Sequence, residues 1–157
     1  QQQQQQQQEQ TDFIRAVDGV SESILATRKL VTQLEDLVSS RATSADPRRD
    51  IEALHQLFTA DMAQLTKELT ALRSYVSSSM GGQRLKSCEA IVDALRRDSQ
   101  ELMTAFQKAL EKRNDVLREL AQRQKLFAHP MANGPLLQLQ QPLFAPPPSH
   151  APPPLAP

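Results

Sequence analysis

The stretch IEALHQLFTADMAQLTKELTALRSYV, residues 51–76, decides the fold of this chain. Its apolar residues Ile51, Leu54, Phe58, Met62, Leu65, Leu69, Leu72 and Val76 recur at steps of three and four. At about 3.6 residues per turn that spacing lays them in one stripe along a helix, whereas a strand would alternate every second residue. Just ahead stand Asp46 and Pro47, a side chain able to cap free N–H groups and then a proline at the first helical position, where its missing N–H costs nothing. Just behind comes SSSMGG, residues 77–82, whose two glycines suit the left-handed turn that ends a helix and reverses the chain. A helix over residues 47–79 follows.

The same period runs on both sides of it. Upstream, Phe13, Val17, Val20, Ile24, Thr27, Val31, Leu34 and Val38 predict a helix over residues 11–42, opened by Thr11 or Asp12 and stopped by the break at 43–46. Downstream, Leu85, Cys88, Val92, Leu95, Ser99, Leu102, Phe106 and Leu110, continuing through Leu117, Leu120, Gln124 and Phe127, predict a helix over 83–127. Its apolar row from Leu85 to Phe127 covers about 43 residues or ~65 Å, so its end projects past the other two. Short connections favour antiparallel neighbours. The expected architecture is all-α: an antiparallel up-down-up, left-handed three-helix bundle over residues 11–127. Leu, Val, Ile and Met fill its core, with Phe13, Phe58, Phe106 and Phe127 as the larger pieces.

Two arms flank this bundle. Residues 1–10 are glutamine broken only by Glu9, with no apolar face to bury; the expectation is disorder, or at most an extension of the first helix. Ten of the 11 prolines lie from Pro130 onward, in a segment 128–157 that has no Lys, Arg, Asp or Glu and reads as an extended, disordered linker. The 18 basic and 18 acidic residues cancel, which excludes the strongly basic footprint of a nucleic-acid binder. A mean hydropathy of −0.50 and the lack of any apolar run near ~20 residues exclude a bilayer-embedded chain. A single cysteine, Cys88, cannot form an internal disulfide and fits a reducing, cytosolic setting.

Chemistry that needs converging groups finds little to work with. His129 and His150 lie in the proline-rich arm, His55 borders an apolar row, and Cys88 falls on one, where a packed thiol is the simpler reading than a nucleophile. Gly81 and Gly82 are no phosphate loop, which needs GxxxxGK[ST] after a strand. The third helix carries ten basic and seven acidic residues, with Arg96, Arg97, Lys112 and Arg113 interleaved among carboxylates, the pattern of a solvated face. No catalytic, cofactor-binding or metal-ligating residue is predicted, and the chain reads as no enzyme.

What remains is surface. Ile14, Leu25, Leu30 and Leu37 on the first helix, Leu57 on the second, and Ile91, Met103 and Val116 on the third lie beside the core rows. One reading is that they widen the apolar faces, as three-helix packing requires. The other is that Leu57, Ile91, Met103 and Val116 line a groove between the second and third helices that accepts a fourth helix.

With these residues in place, the chain resembles the N-terminal Habc domain of syntaxins, the Qa-SNAREs, and specifically the Golgi syntaxin-five type. The pattern from Ile51 to Leu72, with Asp61 at the matching acidic place, is similar to that family's second helix. Phe106, Leu110, Glu111, Arg113, Leu117, Arg118, Arg123 and Phe127 fall at the spacings of its F-x-x-x-L-E-x-R stretch and the basic, Phe-ending segment after it. Thr11, Asp12 and Phe13 resemble the Thr-x-x-Phe start of its first helix. The resemblance covers residues 11–127.

It implies a non-enzymatic regulatory domain acting in ER–Golgi and intra-Golgi vesicle fusion, on the cytosolic face of those membranes. It implies as partners a SNARE helix in cis, other SNAREs, and Sec/Munc-type and tethering proteins, with no small-molecule substrate and a monomeric state. SNARE heptads, a central-layer Gln and a membrane anchor are not found in these residues, and neither is the short N-terminal peptide that binds Sec/Munc proteins, so the chain is expected to be a fragment or a truncated product. A generic three-helix scaffold or oligomerisation module is the alternative.

Overall fold

The computed structural model describes residues 1–40 and 47–128. They form three helices, α1 (Gln2–Ser39), α2 (Arg48–Ser79) and α3 (Gly82–Ala128), and no strand. Two compact units divide the chain, Gln1–Leu117 and Arg118–Pro157; the bundle is the first, and the described part of the second is the exposed end of α3, residues 118–128.

Contacts between helices establish the up-down-up order. The Tyr75 hydroxyl donates to the Glu9 carbonyl and the Ser23 hydroxyl to Glu68, both at 3.2 Å, which runs α2 antiparallel to α1. The Phe58 and Phe106 rings stack with centroids 3.9 Å apart and planes 2° apart, and Met62 and Met103 line one groove, which runs α3 antiparallel to α2. Lys112 donates to the Ser39 hydroxyl, bringing the end of α1 level with that turn of α3. Every member of the Ile51-to-Val76 row is buried, and Leu65 and Leu34 are 0% exposed. Thr27, also buried, satisfies its hydroxyl by donating to the Ser23 carbonyl at 2.8 Å, and no buried side-chain polar atom among the described residues lacks a partner.

Local signals act close to where the sequence puts them. Pro47 precedes the first helical residue, Arg48, and its carbonyl accepts from the Ile51 N–H at 3.0 Å; Asp46, the expected cap, lies outside the described residues. Met80 ends α2 in an extended conformation, and Gly82, at φ 63, is the residue that enters the left-handed region and opens α3.

The expected disorder of the glutamine run and the expected cap at Thr11 or Asp12 are corrected: α1 begins at Gln2, so the run is the alternative, an extension of the first helix, and Thr11 and Asp12 lie inside it. Glutamine is a fair helix former; within α1 the Gln8 amide donates to Asp12 at 3.0 Å, and the Tyr75 hydroxyl of α2 donates to the Glu9 carbonyl at the end of the run. The α3 core stops at Ala109, while Leu117, Leu120 and Phe127 are exposed, Phe127 at 83%. Within Gln1–Leu117 the reason is length: α1 ends beside Lys112 and the first buried residue of α2 is Ile51, so the turn of α3 that carries Leu117 has no helix to cover it. Phe127 belongs to the surface. The proline-rich linker lies, from residue 129 on, outside the described residues.

Replacing Leu65 by Ala should cost about 2–5 kcal/mol of unfolding free energy in urea titrations followed by circular dichroism, whereas Phe127→Ser should stay within about 0.5 kcal/mol. The Tyr75 hydroxyl is held above its ordinary pKa of 10.0 by desolvation first and then by the Asp12 and Glu9 carboxylates. Because the folded state favours the neutral phenol, this contribution is full below about pH 10 and is lost as pH rises through the raised value. Wild-type protein should thus lose stability above that pH more steeply than Tyr75→Phe.

Candidate functional site

α2 places two flanks beside its buried row, and each forms a seam with a neighbour. Toward α3, Met62, Thr66, Leu69, Thr70 and Arg73 face Arg96, Ser99, Gln100 and Met103 across a groove of about 320 Å³. Met62 and Leu69 are buried and form its floor with Ser99, and Met103 is 45% exposed on its edge. Thr66 and Thr70 spend their hydroxyls on the Met62 and Thr66 carbonyls, each at 2.8 Å, so they line the wall with methyl groups instead of free donors. Arg73 and Arg96 set two cations at one end. An apolar side chain entering over the methionines, with a carboxylate near those arginines, matches this surface.

Of the four residues expected to line this groove, the structure brings Met103 alone to it. Leu57 instead lies on the α1 flank of α2, where it lines a hollow with Leu37 and Leu54 and is 54% exposed. Ile91 and Val116 are exposed too, at 42% and 40%. At about 100° per residue they sit roughly 120° and 140° around α3 from Met103. The four look alike in sequence because each adjoins an apolar row, but adjacency does not say which side of the row a neighbour takes. Thr66, Thr70, Arg73 and Arg96 were missed for the complementary reason, being polar; their signal was registration with Met62 and Leu69 on the far side of the stripe from Leu57.

The titratable groups are dispersed. His55 is exposed, its ring centroid 5.8 Å from that of Phe106. Cys88 is a half-buried free thiol. Among the described residues no three His, Cys, Asp or Glu converge as a metal site, and no helix is long and apolar enough to cross a membrane. Burial pushes the Cys88 thiol above its ordinary pKa, and nearby Arg84 opposes that push. A raised pKa keeps the thiolate scarce near neutrality. Cys88 in the folded protein should react with a disulfide reagent at pH 7.5 more slowly than in urea, and Arg84→Gln should slow it further.

No protein-family model matches the chain, and no curated protein or solved structure matches it either.

Proposed function

We propose that this chain is the regulatory Habc-type domain of a Golgi syntaxin, acting without catalysis by offering or withholding the α2–α3 groove to a SNARE helix. The observation that carries the reading is the groove itself, with its methionine floor and edge, methyl-lined wall and paired Arg73 and Arg96 at one end. The ordered match of Phe106, Leu110, Glu111, Arg113 and Leu117 to the syntaxin pattern supports it from the sequence. A SNARE helix seated there is unavailable to its partners, and the tether between the two sets the effective concentration of the docked state. In this reading the domain works on the cytosolic face of Golgi membranes, through an anchor outside the chain, and engages other SNAREs, Sec/Munc-type factors and tethers.

A scaffold or oligomerisation module is the second reading, favoured by the exposure of Leu120, Leu126 and Phe127 at 48%, 73% and 83%. It expects a stable homo-oligomer in sedimentation, whereas the regulatory reading expects a monomer. In a SNARE-assembly assay, fusing this chain ahead of a Golgi Qa-SNARE helix should slow assembly by at least about fivefold, and Met103→Ser with Arg96→Glu should restore much of the rate. Equal rates with and without residues 11–127 would remove the inhibitory role.

A further inference from the structure

The opposite seam of α2, toward α1, carries two hollows. The first, about 440 Å³, is floored by Ala16, Gly19, Ala71 and Leu72 and rimmed by Asp12 and Glu68. The second, about 580 Å³, is floored by Leu37, Ala53, Leu54 and Leu57 and rimmed by Asp36 and Asp50. On α2 the second repeats the first at an interval of eighteen residues: Asp50 for Glu68, Ala53 for Ala71, Leu54 for Leu72, Leu57 for Tyr75. Eighteen residues make about five helical turns, ~27 Å, so the two sets share one face and lie along one line.

Along α2 the charge on this line has one sign, while on α1 Lys29 stands seven residues before Asp36, on the same face. No Lys or Arg lines either hollow. Between them Asp61, seven residues before Glu68 on the same face, is half-buried, as are Asp12 and Glu68. Arg15 approaches Asp12 only at 4.0 Å, while Glu68 accepts from Ser23 and Gln64 at 3.2 and 3.1 Å, both neutral donors. The Tyr75 phenol, which lines the first hollow, is pushed up first by burial and then by the Asp12 and Glu9 carboxylates. Gly19 adds a separate observation: a Cβ there would meet nothing within 4 Å, so the bundle gives it no packing reason to be glycine, and mid-helix glycine costs about 1 kcal/mol against alanine. It lines the first hollow, and the space over it is open.

We propose that the α1–α2 seam is a second docking face, whose occupant is a cationic amphipathic helix of a partner protein. That helix carries two bulky apolar side chains about eighteen residues apart, one for each hollow, with Lys or Arg between them to meet Asp61, Glu68 and the rim carboxylates. A second copy of this chain does not fit. Among the described residues no two of the large exposed apolar side chains are eighteen apart on one helix. The face is separate from the α2–α3 groove and does not rest on the syntaxin reading.

The test titrates the full chain, by fluorescence anisotropy, into a labelled helical peptide of about 24 residues with two Phe eighteen apart and four Lys on the same face. Two control peptides carry Glu for Lys, or Ala for Phe. The Lys–Phe peptide should bind best, and raising salt from about 0.1 to about 0.5 M should weaken it. Gly19→Leu, which fills the first hollow, and Leu57→Ser, which makes the second polar without adding charge, should each reduce affinity about tenfold, with helical circular dichroism retained. Met103→Ser, in the other groove, should leave affinity unchanged. Should Gly19→Leu unfold, Leu57→Ser decides alone. The proposal is overturned if the Lys–Phe peptide binds no better than its controls or does not bind, or if the hollow-directed variants bind as wild type does. It is equally overturned if Met103→Ser weakens binding as much as they do, or if the chain sediments as a dimer that Leu57→Ser dissociates.

Discussion

The eight-residue stripe of α2 has to be covered from two directions at once, and the rest of the structure depends on that. Leu65 at its centre is fully buried, Phe58 stacks on Phe106 of α3, and the hydroxyl of Tyr75 reaches back to the first turns of α1. Few residues are aromatic, so the core relies on aliphatic interdigitation, where each missing methylene is felt. Because α2 divides its stripe between two partners, it also borders two seams. Leu54, Leu57, Asp61, Glu68, Leu72 and Tyr75 stand on one flank, and Met62, Thr66, Leu69 and Arg73 on the other.

Those flanks differ in charge in a way that net neutrality conceals. The α1–α2 seam presents carboxylates over small and aliphatic residues; the α2–α3 groove presents methionines and arginines. The two proposed partner helices therefore differ in electrostatic character, and like charge disfavours each on the other's face. Both proposals draw on this asymmetry, and each concerns its own face.

Much of the fold was legible in residue order. The predicted row of α2 is its buried row without exception, and Phe13, Val20, Ile24, Thr27, Val31 and Leu34 are buried where the period of α1 puts them, Thr27 included. Less legible were the places where a periodic pattern continues but its partner does not. Leu117 keeps the step of the row, yet α1 ends beside Lys112, and a stripe without a facing helix stays in solvent. The glutamine run shows the converse: it has no stripe at all and is still helical, continuous with the packed turns of α1, with a side chain from α2 bonding the backbone at Glu9. The candidate groove was half legible, since Met103 and the methionine floor lie on readable rows while the wall residues are polar and carry no hydrophobic signal.

By itself the sequence determined that this chain is helical, where α2 and α3 begin and end to within a few residues, and the buried row of α2. Those properties follow from local spacing and from the free energy of removing an apolar stripe from water, and both can be counted along one strand of text. Only the tertiary structure decided how far the core extends, that the glutamines are recruited into α1, and which flank of α2 each boundary residue joins. These depend on the length and position of a neighbouring helix, which no residue encodes alone. Leu57 makes the point: one position from Phe58 in the chain, it belongs to the seam with α1, because a single helical step turns a side chain by about 100°.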